Sequence, residues 1–158
     1  MAGLIVGASL AHASSDPPPL RIEGMTFVGS RGELREVLLR SRTAVFRPDE
    51  RIAELEDVSA EVSEGEGARS FSMTCRRAEL DIDKQDFLAE GNVEGSTSDG
   101  RRYSAPWVRY QHETGLLYTD APVRMVDETG SFRADGFRFH VKERRFQLLG
   151  NVRVEQAP

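Results

Sequence analysis

The stretch "DIDKQD" clusters three carboxylates, Asp81, Asp83 and Asp86, as if in a calcium loop. Such a loop also needs glycine at its sixth position and glutamate at its twelfth; those positions hold Asp86 and Asn92. A solvated turn between two strands is the simpler reading. The three histidines, His12, His112 and His140, lack the close spacing of metal ligands. Cys75 is the single cysteine, so no internal disulfide forms, and its neighbours include no base that would activate a nucleophile. There is no G-x-S-x-G nucleophile elbow and no phosphate loop. The residue types of metal, nucleophilic and phosphate chemistry are present, but not in patterns that assemble a site. No metal, cofactor or catalytic role is therefore expected.

Whatever the chain does rests on its larger elements. Its 158 residues are enough to bury one core without staples. Hydrophobic residues make up 39% and charged residues 30%, a globular composition. The net charge of −5 argues against nucleic acid as a partner, because phosphate backbones are met by basic faces. It argues equally against simple adhesion to an anionic membrane surface.

The first residues, "MAGLIVGASLAHA", differ from the rest. Ala2 to Ala11 carry no charge, Ala11-His12-Ala13 resembles an A-x-A cleavage site, and "SSD" and "PPP" follow. That is the layout of an export signal. It lacks a basic start, and its apolar run falls short of the roughly 20 residues that cross a bilayer. The expectation is that Met1 is internal to a longer apolar signal or anchor; a buried first strand is the alternative. Residues 1–19 are assigned to this segment and its proline-rich linker, and residues 20–158 to one domain.

That domain repeats. "GNV" occurs at Gly91 and again at Gly150, 59 residues later. Aligned on the closing valine, Ala105–Val123 and Ala134–Val152 match in length and layout. Ala78–Val93 is the same unit with a shorter turn, and Thr43–Val58 a weaker copy. The closing valines at 58, 93, 123 and 152 are 35, 30 and 29 residues apart, the period of a repeat-built architecture.

Within a unit the apolar residues alternate. Leu80/Ile82, Phe137/Phe139/Val141 and Phe146/Leu148 each keep one parity, with polar residues between. Period two is the signature of a half-buried strand. "RPDER", "DKQD", "QHETG" and "KERR" separate the apolar runs, so each unit reads as a β-hairpin. "EGEG" (Glu64–Gly67), "SDG" (Ser98–Gly100) and "DETG" (Asp127–Gly130) read as further turns. Gly91 and Gly150 fit bulges or close backbone contacts. "ELREVLLRSR" (Glu33–Arg42) has Leu34, Val37 and Leu38 at helical spacing, but the turn signal "GSRGEL" before it favours strands on both sides. The fold class is all-β, built from antiparallel hairpins that stack their apolar faces. Closed and open sheets both satisfy this pattern.

Order and spacing now carry a resemblance. "LRIEGMTFVGSRGEL", "FLAEGNVEGSTSDGRRYSAPWVRY" and "LLYTDAPVRMVDETGSFRADGFRFHVKERRFQLLGNVRVEQ" resemble the LptC family of lipopolysaccharide-export proteins over Leu20–Gln156. The related LptA family shares the repeat; the early "GMTFVG…GELRE" layout is closer to LptC. The resemblance implies an open, V-shaped jelly-roll in the periplasm, anchored to the inner membrane through its N-terminal segment. It implies a non-enzymatic carrier that receives lipopolysaccharide from an inner-membrane ABC transporter and passes it to an LptA-like bridge protein. A soluble LptA-like bridge with a cleaved signal is the near alternative. A carbohydrate-active envelope enzyme, needing paired carboxylates across a cleft, is the distant one.

Strand parity and this resemblance together select a lipid groove. Phe46, Leu80, Ile82, Phe87, Val108, Tyr110, Leu117, Phe137, Phe139, Phe146 and Leu148 are expected to line one apolar interior that holds the acyl chains of lipid A. The arginine pairs Arg101/Arg102 and Arg144/Arg145 are read as outward charges, with contact to lipid phosphates as a lesser alternative. "LLGNVRVEQ" is expected to form one strand running almost to the C-terminus. Its residues Leu149, Gly150, Asn151, Val152, Arg153 and Val154 would be the edge that meets the bridge protein.

Overall fold

Four polar stretches turn the chain back on itself, and all four do it the same way. Pairs Arg47/Ile52, Asp81/Asp86, Gln111/Leu116 and His140/Arg145 face each other across a four-residue loop. The last loop residue is in each case in the left-handed region: Arg51 (φ 53°), Gln85 (60°), Gly115 (65°) and Arg144 (55°). These are the turns of the four repeated units, so the repeat is a repeat of hairpins.

The structure is a computed structural model that describes residues 17–32, 34–63 and 70–157. The leader-like residues 1–16 and the "EGEG" turn at Glu64–Gly67 lie outside them. The strands are β1 (Leu20–Arg31), β2 (Leu34–Arg47), β3 (Ile52–Ser63), β4 (Ser70–Asp81), β5 (Asp86–Thr97), β6 (Arg102–Gln111), β7 (Leu116–Thr119), β8 (Val123–Asp127), β9 (Gly130–Ala134), β10 (Gly136–His140), β11 (Arg145–Leu149) and β12 (Arg153–Gln156). They form one antiparallel sheet of 12 strands in which β1 to β6 are neighbours in chain order. Beyond β6 the sheet divides: β7, β10 and β11 continue one half, β8, β9 and β12 the other. Leu34 to Arg42, the described part of the segment Glu33–Arg42 with helical spacing, is β strand throughout, and its residues Val37 to Ser41 pair with β1 on one side and β3 on the other.

The division follows a line of irregularities that crosses the sheet. On β5, Gly91 (φ 79°) and Asn92 (φ 50°) together face one residue of β6, Pro106. Such a two-against-one bulge bends a strand, and proline is tolerated there because it has no ladder donor to lose. Asp120–Pro122 interrupts β7/β8, Asp135 interrupts β9/β10, and Gly150 (φ 79°) with Asn151 (φ 43°) interrupts β11/β12. The repeated "GN" is thus a kink of two left-handed residues. A side chain at Gly91 would also press on Arg76 at 3.0 Å, and one at Gly150 on Asp135 at 2.9 Å. The kink corrects one expectation: "LLGNVRVEQ" is two short strands. β11 pairs with β10 and β12 with β9, so Gly150, Asn151 and Val152 lie in the bend between them.

Beyond the kink the sheet folds over itself. Phe71 and Tyr103 lie toward one end of β4 and β6, whereas Phe139 and Phe146 align across the sheet with Tyr110, at the other end of β6. Yet Phe71 and Phe139 are 6.0 Å apart between ring centroids, and Tyr103 and Phe146 are 4.7 Å apart. Phe137 stacks on Phe146 at 5.4 Å within the same cluster. Gly95 makes room for it: a Cβ there would sit 2.5 Å from the Phe71 ring. Cys75 is buried in the same core, and its Sγ donates to the Arg77 carbonyl at 3.2 Å. Burial pushes the thiol up to about 11.

Two outcomes follow from this packing. Gly95→Ala will lower thermal stability by about 1–3 kcal/mol, the usual cost of overpacking. Phe71→Leu will restore part of that loss in a double-mutant cycle read by thermal denaturation. Cys75 will react with iodoacetamide at neutral pH only after denaturation; labelling of the native chain at the rate of a free thiol would show that it is accessible.

Candidate functional site: an apolar interior between two sheet edges

Cross-strand register turns the alternating pattern into continuous rows. One row reads Leu20, Phe46, Ala53, Leu80, Phe87, Tyr110, Leu117, Phe139, Phe146 from β1 to β11. A second row on the other side of the kink reads Phe27, Leu39, Ala60, Met73, Gly95, Tyr103, Met125, Phe132, Val154 from β1 to β12. Both rows run from edge to edge on the same face. The wall is almost entirely carbon, and the buried polar residues among those described are Ser41 and Thr119.

All eleven groove residues expected from parity lie in this one cluster. Leu80, Phe87, Val108, Tyr110, Leu117 and Phe137 are fully buried; Phe46, Ile82, Phe139, Phe146 and Leu148 are partly buried against them. Parity within the hairpins also excluded the residues between them, and those are on the other face: Arg109, Tyr118 and Arg138 stand side by side there. Arg138 covers the Tyr118 ring at 4.9 Å, pairs with Asp120 and donates to the Thr119 carbonyl, clamping the β7/β8 break from outside.

Sequence reasoning missed half of the wall. Leu39, Leu55, Val58, Phe71, Met73, Tyr103 and Met125 are buried and were not selected. "SFSMTC" carries a clear signal, since Phe71, Met73 and Cys75 alternate with Ser and Thr. Tyr103 had a weaker one, because two arginines precede it. Its ring is buried, and desolvation pushes its phenol up to about 12.

The "DIDKQD" carboxylates are engaged as turn partners. Asp81 accepts the Lys84 backbone N–H at 3.0 Å, Asp83 pairs with Arg51 at 2.6 Å, and Asp86 accepts the His112 backbone N–H at 2.8 Å. His112 lies 3.5 Å from Glu36, a contact that ties the start of β2 to the loop after β6.

Both ends of the sheet are open on one side. Among the described residues β1 pairs only with β2, β11 only with β10 and β12 only with β9. The large exposed apolar side chains gather there: Leu20 and Val28 on β1, and Leu149, Val152 and Val154 along β11–β12, with Val126 of β8 the one elsewhere. Of the expected edge residues, Leu149 ends β11 and Arg153 and Val154 begin β12. Ala157 donates to the Thr129 carbonyl at 3.0 Å, which fixes the phase of the β9–β12 ladder. By alternation, Arg153 and Glu155 direct their backbone groups at β9, and Val154 and Gln156 direct theirs at the open side. No helix among the described residues is long and apolar enough to cross a membrane.

A solved structure with the same architecture is LptH of Pseudomonas aeruginosa, described as the LptA homologous periplasmic component of the conserved lipopolysaccharide transport device. The likeness covers 77% of this chain and 95% of that one, at a TM-score of 0.58 and 10% identity, and so speaks to the fold. No curated protein matches the sequence. The sequence does match the LptC family, described as lipopolysaccharide-assembly, LptC-related, over residues 14–156. A match over that much of the chain, joined to an all-β sheet with an apolar interior and two open edges, makes the chain a member of the LptC family.

Proposed function

We propose that the protein is a non-enzymatic carrier that holds the acyl chains of lipopolysaccharide in its interior and passes the lipid along a chain of edge-paired β proteins in the periplasm. In this reading it receives lipid from an inner-membrane ABC transporter and hands it to an LptA-like bridge. The observation that carries the reading is the pair of apolar rows that span the sheet from one open edge to the other. An interior of this kind offers acyl chains a surface of the right chemistry, and burial of each methylene is worth about 0.8 kcal/mol. No carboxylate is among the buried residues of those described, which fits carriage better than glycoside hydrolysis.

The free edges supply the means of assembly. An unpaired strand presents N–H and C=O groups that accept another strand, and here exposed Leu, Val and Val side chains accompany them on β11–β12. The likeness to LptH favours a second reading, a soluble bridge released by signal cleavage. The two differ in where the mature protein fractionates: with inner membranes in the first, with soluble periplasm in the second.

A photo-crosslinking amino acid at Leu55, on the inner face, will trap lipopolysaccharide in cells, and the same probe at Glu61, on the outer face, will not. Equal labelling at both positions would mean the lipid does not use the interior. Val154→Pro removes a donor that faces the open side while leaving the β9 ladder intact. Capture of an LptA-like partner in a pull-down will fall at least about tenfold, and lipid crosslinking at Leu55 will persist. Undiminished capture would place the partner elsewhere.

A further inference from the structure

The outer face of the sheet carries a feature that lipid carriage in the interior does not use. Arg124 of β8 lies directly across from Arg133 of β9, and Arg133 lies directly across from Arg153 of β12. Like charges placed opposite each other on an antiparallel pair are destabilising, and here they occur twice in succession. All three arginines are exposed, and among the described residues none of them has an ion pair or a hydrogen-bonded side-chain partner. Other outward arginines do find carboxylates: Arg42 meets Asp57, Arg47 meets Glu54 and Arg51 meets Asp83.

The three also share a groove. A cavity of about 770 Å³ runs along the kink, and Arg124, Arg133 and Arg153 line it together. Its acidic residues are Glu94 and Asp135. Glu94 sits across from Ser104, two strands away from Arg124, and Asp135 is occupied by the Asn151 amide at 2.9 Å. The site is locally cationic on a chain of net charge −5.

We propose that Arg124, Arg133 and Arg153 form a binding site for a phosphate group. Guanidinium groups present forked donors that match phosphate oxygens. A phosphate monoester carries nearly two negative charges and three acceptor oxygens, enough for three arginines at once. A carboxylate on an edge-docked partner strand would meet Arg153 alone, because Arg124 lies two strands further in, about 10 Å away. Arg153 is on the free-edge strand, so a glycolipid whose chains lie on the inner face reaches this site around β12 with its head group. That source of the phosphate rests on the carrier reading above; the anion site itself does not.

The test compares the full chain with the Arg124→Gln/Arg133→Gln/Arg153→Gln variant, first for fold. The triple variant will melt at or slightly above the wild-type temperature, because repulsion is relieved. Inorganic phosphate will shift the arginine side-chain NMR signals of the wild type and not of the variant; no shift in the wild type overturns the site. Lipopolysaccharide will bind the variant about tenfold more weakly than the wild type, whereas the same lipid stripped of phosphate will bind both alike. Equal binding of the intact lipid by both chains, with phosphate shifts retained in the wild type, would make the site one for free phosphate and overturn the head-group source. Loss of partner capture in the variant without any loss of lipid or phosphate binding would overturn the proposal in favour of an acidic partner. Failure of the wild type to bind either lipid would sink the carrier reading, and the phosphate shifts would then judge the arginine site by themselves.

Discussion

A sheet whose strands alternate strictly has one apolar face, and that face must leave water. The described residues supply no helix to cover it, so the sheet has to cover itself. That constraint organises the rest of the structure. It requires a bend somewhere along every strand, and the bends have to line up or the ladders would tear. The Gly91-Asn92 and Gly150-Asn151 kinks, the Asp120–Pro122 break and the gap at Asp135 lie along one such line. Across it, Phe71 and Tyr103 meet Phe137, Phe139 and Phe146. Each buried aromatic side chain contributes on the order of 1.5–3 kcal/mol, which is what holds the fold-over against the entropy of ordering it.

The same constraint explains why the edges stay open. Past β6 the sheet splits into two branches, and neither branch pairs with β1. Edge strands left with apolar side chains are ordinarily protected by charge, proline or a covering element. β11–β12 exposes Leu149, Val152 and Val154 beside the charges of Arg145, Arg153 and Glu155, with no strand among the described residues paired to its outer side. An edge of this kind is consistent with a strand that is completed by another protein, and the family to which the chain belongs is one of lipopolysaccharide assembly.

Much of this was legible in the sequence, for a physical reason. Side-chain direction in a strand depends only on parity, so Leu80 and Phe87, or Phe137 and Phe139, could be placed on one face without knowing any partner. Turn residues fixed where the parity count restarts, and all four loops fall where the polar stretches are. What parity cannot carry is continuity. "LLGNVRVEQ" keeps an apolar alternation of sorts through Gly150, yet two left-handed residues end one strand and begin another. The glycine was visible as a bulge signal, but a kink that hands the chain from β10 to β9 depends on the neighbours. Helical spacing around Val37 and Leu38 was likewise overruled by neighbours, since β1 and β3 both pair with Val37 to Ser41.

The arginine row marks the further limit. Arg124, Arg133 and Arg153 are separated by nine and twenty residues, a spacing with no period and no motif. Only the register brings them side by side, because strands of unequal length and a kink between them set which residues face each other. Net charge pointed the other way: a chain at −5 gives no hint of a basic site. The inner face is a property of composition and parity and is therefore written into each strand separately. The outer row is a property of pairing and exists only when the strands are assembled. A site of the second kind is also the more easily lost, since a one-residue slip of β12 against β9 would carry Arg153 to the inner face and Val154 to the outer one. The Asp135–Asn151 contact and the Asp135 N–H to Gly150 carbonyl bond pin the chain just before β12 and hold that register.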